Sequence, residues 1–77
     1  MWRLYTYDVW GNAEDGWDVN EVLWTSVTEN IPIDASDRAI REAFRFDPRV
    51  GLEGDEETIY LTSETGKPLG ELRWEKE

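Results

Sequence analysis

Residues 7–22 read YDVWGNAEDGWDVNEV, two alternating runs separated by Gly11, Asn12, Asp15 and Gly16. Gly, Asn and Asp are the residues that turns recruit, because they tolerate positive φ or hydrogen-bond their own backbone, so this stretch predicts a β-hairpin. The connection is longer than a two-residue turn, which leaves room for a β-bulge in the register.

Outward from the hairpin, residues 2–10 alternate as a strand. Trp2, Leu4, Thr6, Asp8 and Trp10 fall on one side, and Arg3, Tyr5, Tyr7 and Val9 on the other. In the second run, residues 17–27, alternation groups Trp17, Val19, Leu23 and Val27, with Glu21 and Thr25, against Val22 and Trp24. The face with Val19, Leu23 and Val27 is the expected core side. The chain then reaches Ile31 and Pro32, and the residue before a proline is driven out of the helical region. A helix is predicted over residues 35–46, capped by Asp34 or Ser36 and stopped by Pro48, with Ala39, Ile40, Ala43 and Phe44 as its apolar stripe. Arg45 suits the negative end of its dipole.

Residues 47–57 read as a loop anchored by Val50 and Leu52. Residues 58–62 and 69–74 read as a closing hairpin, with Ile59 and Leu61 inward, Tyr60 outward, and Leu72 and Trp74 sharing a side. Residues 75–77 are polar and expected to fray. The order β-β-α-β-β predicts one α+β domain over residues 1–77: a four-stranded, mainly antiparallel sheet with a single helix packed on one face. One helix cannot cover both faces. The other face must be wet, self-associate or meet a partner.

The chain has 77 residues, with 18 acidic against 8 basic ones and a formal net charge of -10. Such a surface repels nucleic-acid phosphates and anionic lipid and favours partners with basic faces, so neither direct nucleic-acid binding nor membrane binding is expected. Solubility alone is the plainer account of the same charge. Cysteine and histidine are absent, which removes disulfides, thiolate sites, and the commonest general base and metal ligand. The start, MWRLYTYDVW, holds no apolar run suited to a signal peptide or membrane span, so a cytoplasmic protein is expected.

Five Trp and three Tyr exceed what one small core absorbs, so some rings should be exposed. Trp10, Trp17, Trp24, Tyr7 and Tyr60 are the candidate aromatic contacts, since Trp and Tyr carry much interface energy. Glu14, Asp15, Asp18 and Glu21 on the first hairpin, with Glu53, Asp55, Glu56 and Glu57 before the third strand, are the candidate acidic contacts. The structural account of these residues is simpler: rings plug a thin core, carboxylates are solvated, and the Gly, Asn and Asp of the turn only build it.

No catalytic set stands out. Ser26, Ser36 and Ser63 have no histidine to activate them, and Lys67 and Lys76 lie in a turn and a tail. Asp8 and Glu21 on facing strands form a carboxylate pair, but 18 carboxylates produce such pairs by chance. Aligning Gly16 with the invariant glycine of a calcium loop places Gly11, Ala13 and Val22 at ligand positions, so an EF-hand fails. No metal and no cofactor are expected.

Residues Tyr7, Asp8, Val9, Trp10, Gly11 and Asn12, then Asp15, Gly16, Trp17, Val19 and Asn20, resemble short, largely uncharacterised accessory proteins encoded by bacteriophages. Gly66, Lys67, Pro68, Glu71, Leu72 and Arg73 are similar to the closing hairpin of the same group. The resemblance covers both hairpins and implies a viral accessory protein, with no activity to carry over. The expectation is therefore a non-enzymatic, acidic interaction protein that engages a basic surface of a host protein, in its sharpest form as a mimic of DNA phosphates. Its rivals are a homodimeric module joined through the aromatic sheet face, and a small-ligand or carbohydrate binder using Trp10, Trp17 and Trp24 as platforms.

Overall fold

In the computed structural model, residues 1–76 are described. They form one antiparallel sheet with the strand order β2-β1-β5-β4-β3 and one short helix. The elements are β1 (Trp2–Asn12), β2 (Gly16–Glu29), α1 (Asp37–Phe44), β3 (Gly51–Gly54), β4 (Thr58–Thr62) and β5 (Pro68–Trp74). The antiparallel layout with one helix is as expected, but the sheet has five strands, not four. The added strand is β3, sequence GLEG, whose two glycines carry no strand signal. Pairing against β4, with Leu52 opposite Leu61, makes it a strand.

The core lies on the helix side of the sheet. Trp2, Ile40, Ile59, Leu61 and Leu72 are buried, with Leu4, Phe44, Phe46, Val50, Leu52 and Trp74 packed around them. Registers carry the apolar row across strands: Leu4 faces Leu72, and Leu72 faces Ile59. Trp2 meets Trp74 edge-on at 5.6 Å and donates its indole N–H to the Pro32 carbonyl at 3.1 Å, so the most buried ring is also a satisfied donor. Val50 and Leu52 do anchor the central loop.

Helix α1 is shorter than residues 35–46. Ser36 is its N-cap, accepting the Ala39 N–H at 3.2 Å, and Arg45 ends it in the left-handed region at φ 58°. The chain therefore leaves the helix before Pro48, and Phe46 turns back to stack on Phe44 at 5.4 Å. The tail is not loose through Glu75: its N–H reaches the Met1 carbonyl at 2.8 Å, and its carboxylate takes Arg3 and Tyr5. Glu77 lies outside the described residues.

Alternation in β2 breaks twice. Asp8 faces Glu21 but Val9 faces Val19, leaving Asn20 as an extra residue; Arg3 faces Thr28 but Tyr5 faces Trp24, so Leu4 opposes three residues, 25–27. Thr25 holds the second bulge, donating its hydroxyl to the Leu4 carbonyl at 2.5 Å and accepting the Val27 N–H at 3.2 Å. Each inserted residue shifts the strand's phase. Val19 consequently joins Val22 and Trp24 on the side away from the helix, and Val19, Leu23 and Val27 are all exposed, contrary to their expected place in the core. No helix among the described residues is long and apolar enough to cross a membrane.

Candidate functional site

β5 pairs with β1 only as far as Thr6, so the end of the β1–β2 hairpin projects beyond the rest of the sheet as an arm. At its tip, Asn12 accepts the N–H groups of Glu14 and Asp15 through its side-chain oxygen, at 2.9 and 2.8 Å. Gly11 and Gly16 take φ of 105° and 97°, and a Cβ at Gly11 would run into the Gly16 carbonyl. That turn directs the Glu14 and Asp15 side chains into solvent.

On the helix side of the arm, Asp8 faces Glu21 and Trp10 faces Asp18. In this block of three carboxylates and one ring, Asp18 and Glu21 are exposed and Trp10 is 64% exposed. Asp8 accepts from the Asn20 amide at 2.9 Å. None of Asp8, Glu14, Asp15, Asp18 and Glu21 forms an ion pair with a described residue. No Lys or Arg occurs anywhere between residues 4 and 37. The arm thus carries five carboxylates outside any ion pair among the described residues and one bare indole, while the Lys67 ammonium meets it at the Trp17 ring.

The opposite side of the sheet is built differently. Arg3 lies over the Trp24 ring at 4.5 Å and pairs with Glu75 through Nε at 2.5 Å; Tyr5 donates to the same carboxylate at 2.8 Å. Arg73 lies over Tyr5 at 4.3 Å and donates to Glu71 at 2.6 Å, and Tyr7 gives its hydroxyl to Glu71 at 2.8 Å. Rings, guanidiniums and carboxylates alternate without a break from Trp24 to Tyr7. Burial pushes the Glu71 carboxyl up, but Arg73 and Tyr7 together outweigh it and hold the group below the ordinary range. Arg3 first, then Tyr5, do the same for Glu75. Burial and the Glu71 bond drive the Tyr7 hydroxyl far above its usual value. Long side chains thereby cover the face that no helix covers.

The expected acidic contacts do not converge. β3 runs back along β4, so Glu53, Asp55, Glu56 and Glu57 lie at the end of the sheet opposite the arm tip, on its other edge. Asp55 and Glu56 build the β3–β4 turn, where the Asp55 N–H reaches the Thr58 carbonyl at 2.7 Å and the Glu56 N–H the Asp55 carboxylate at 2.7 Å. Tyr7 belongs to the ion-pair network, and Tyr60 is exposed beside it, in register with Glu71 and Glu53. Trp24 is 65% exposed, with Arg3 over its ring. Trp17 is half-buried with Lys67 over its ring at 5.6 Å, and its buried indole N–H finds no acceptor among the described residues.

One open cavity of about 270 Å³ lies near the core, lined by Asp47, Arg49, Val50, Ser63, Glu64, Thr65 and Leu69. Its guanidinium is occupied: Arg49 grips Asp47 through two bonds of 3.0 and 3.1 Å and holds that carboxyl at about 2. Ser63 receives the Thr65 and Lys67 N–H groups as a turn cap, and its hydroxyl is bonded to that of Thr65 at 3.0 Å. Among the described residues no three acidic side chains converge on a metal-sized site. Asp8 lies on the same side of the arm as Trp10, Asp18 and Glu21 and so joins the candidate acidic residues; its place opposite Glu21 was the only sequence sign of that. No protein-family model, curated protein or solved structure matches the chain.

Proposed function

We propose that the chain is a non-enzymatic interaction protein whose hairpin arm docks on a basic surface of a partner protein. The observation that carries this reading is the arm itself: Asp8, Glu14, Asp15, Asp18 and Glu21 stand unpaired around Trp10, with no cation between residues 4 and 37. Uncompensated carboxylates on a projecting element steer a basic partner at long range, and a bare indole beside them supplies the contact that excludes water. The reading needs no catalysis, metal or cofactor. The likeness of both hairpins to phage-encoded accessory proteins adds a host protein as the partner. In its finer form, the arm and the acidic corner at residues 53–57 stand in for phosphates at two points along a nucleic-acid groove.

The test is capture from a bacterial lysate on the immobilised chain, with bound proteins identified after elution by salt. A basic protein released between low and high salt, and not captured by Asp18→Lys/Glu21→Lys, is the expected result. Capture indifferent to salt and to both reversals overturns the reading. The open face favours a second reading, a homodimer. Its ion pairs are internally balanced, and Trp24, Val22 and Tyr60 are exposed there. Sedimentation over a range of concentrations separates the two readings.

A further inference from the structure

We infer that the outer edge of β2 takes an extended segment of the partner as a sixth strand, one whose side chains alternate between basic and apolar. The inference rests on the reading that the partner is basic. β2 is the outermost strand of the sheet and runs for 14 residues with no strand paired on its far side among the described residues. Edges of this length are ordinarily blunted by lysine, proline or bulges. β2 has neither Lys nor Pro. Its two bulges, at Asn20 and residues 25–27, bracket a regular stretch of four residues, Glu21 to Trp24.

Apolar side chains are exposed on both faces of that stretch. Val22 and Trp24 lie on the open face and Leu23 on the helix side, with Val19 exposed next to Val22. A partner lying on either face would leave the other set in water. A strand laid along the edge reaches both, because its own side chains alternate across the sheet. A second copy of this chain fits poorly, since its own β2, within residues 4–37 that hold no Lys or Arg, brings no positive charge to Asp18 and Glu21. The incoming strand must therefore bring the positive charge. Its neighbours on the helix side are Asp18, Glu21 and Leu23, and on the open side Val19, Val22 and Trp24. Basic residues suit the first row and apolar residues the second.

Three capped heptapeptides of four arginines and three valines test this on the intact chain: one alternating, one with the same residues in blocks, and one alternating with every backbone nitrogen methylated. The alternating peptide is expected to bind at least about tenfold more tightly than the other two, a difference of about 1.4 kcal/mol. It should also slow amide hydrogen exchange within residues 21–24 while leaving β3 unchanged. Equal binding of all three, weakened by salt, overturns strand addition and leaves a basic partner standing. Binding of none overturns strand addition too, and lysate capture then decides separately whether the basic partner survives.

Discussion

Arg73 rests over the Tyr5 ring, 4.3 Å from its centroid, while its Nε–H is given to Glu71 at 2.6 Å. A planar guanidinium stacks on the ring and donates from its edge; an ammonium has no plane to stack. Glu71 is buried, so removing Arg73 leaves a carboxylate in the sheet with only the Tyr7 hydroxyl to answer it. Arg73→Ala is expected to cost about 2–3 kcal/mol, and Arg73→Lys about 1 kcal/mol through lost stacking and fork geometry. Urea unfolding of both variants checks the order. Equal costs would show that a retained charge is worth nothing at this position, and a negligible cost for Arg73→Lys would show that charge alone matters.

The same network sets the response to acid. Glu71 and Glu75 both titrate below their ordinary value of 4.5 in the folded chain. A depressed carboxyl adds stability that is complete above the unfolded value and lost as pH falls through the folded one, so unfolding free energy should decline from about pH 4.5 downward. Tyr7 has the opposite sign. Its raised hydroxyl adds stability that is complete below 10.0 and lost as pH climbs toward the folded value. Tyr7→Phe removes the bond to Glu71, costs about 2 kcal/mol at neutral pH, flattens the acid decline and removes the Tyr7 share of the alkaline one, leaving that of Tyr5, whose hydroxyl is also raised by its bond to Glu75. Chemical unfolding from pH 3 to pH 11 measures all three; an unchanged profile for Tyr7→Phe would detach the hydroxyl from the network.

Gly70 and Gly66 separate crowding from backbone conformation. A Cβ at Gly70 would run into the Tyr5 carbonyl, where β1 and β5 join the two halves of the sheet. Nothing lies within 4 Å of a Cβ at Gly66, but its φ is 87°. Gly70→Ala is expected to cost about 2–3 kcal/mol, and Gly66→Ala about 1 kcal/mol. Thermal unfolding of the two variants ranks them. The reverse order would mean that the sheet relaxes at Gly70 at little cost.

What sequence could and could not reveal divides along physical lines. Strong local signals survived: the turn around Gly11, Asn12 and Gly16, the Ser36 cap, and the alternation of Ile59, Tyr60 and Leu61. Non-local choices did not show. Gly51–Gly54 becomes a strand only because β4 offers it a register, and the phase of β2 is reset by bulges that depend on β1 as a partner. That phase decides the candidate site. It exposes Val19, Leu23 and Val27, and Asp8, Trp10, Asp18 and Glu21 share one side of the arm although alternation separated Asp18 from Glu21. The partnership of Arg3 with Trp24 and Glu75 was equally hidden, because its members come together only when the chain's two ends pair.

The arm should be separable from the fold. Trp10 is exposed and outside the core cluster, and Asp18 and Glu21 are exposed with no ionic partner among the described residues, so Trp10→Ala and Asp18→Lys should each change unfolding free energy by only about 0.5 kcal/mol or less. Their effects on a bound basic protein should differ in kind. Trp10→Ala removes a desolvated contact and should raise the dissociation rate with the salt dependence intact; Asp18→Lys reverses a steering charge and should slow association and flatten the salt dependence. Surface plasmon resonance at several ionic strengths distinguishes the two. If both variants bind as the unmodified chain does while remaining folded, the contact lies elsewhere on the molecule, and the open face with Trp24 and Tyr60 becomes the surface to alter next.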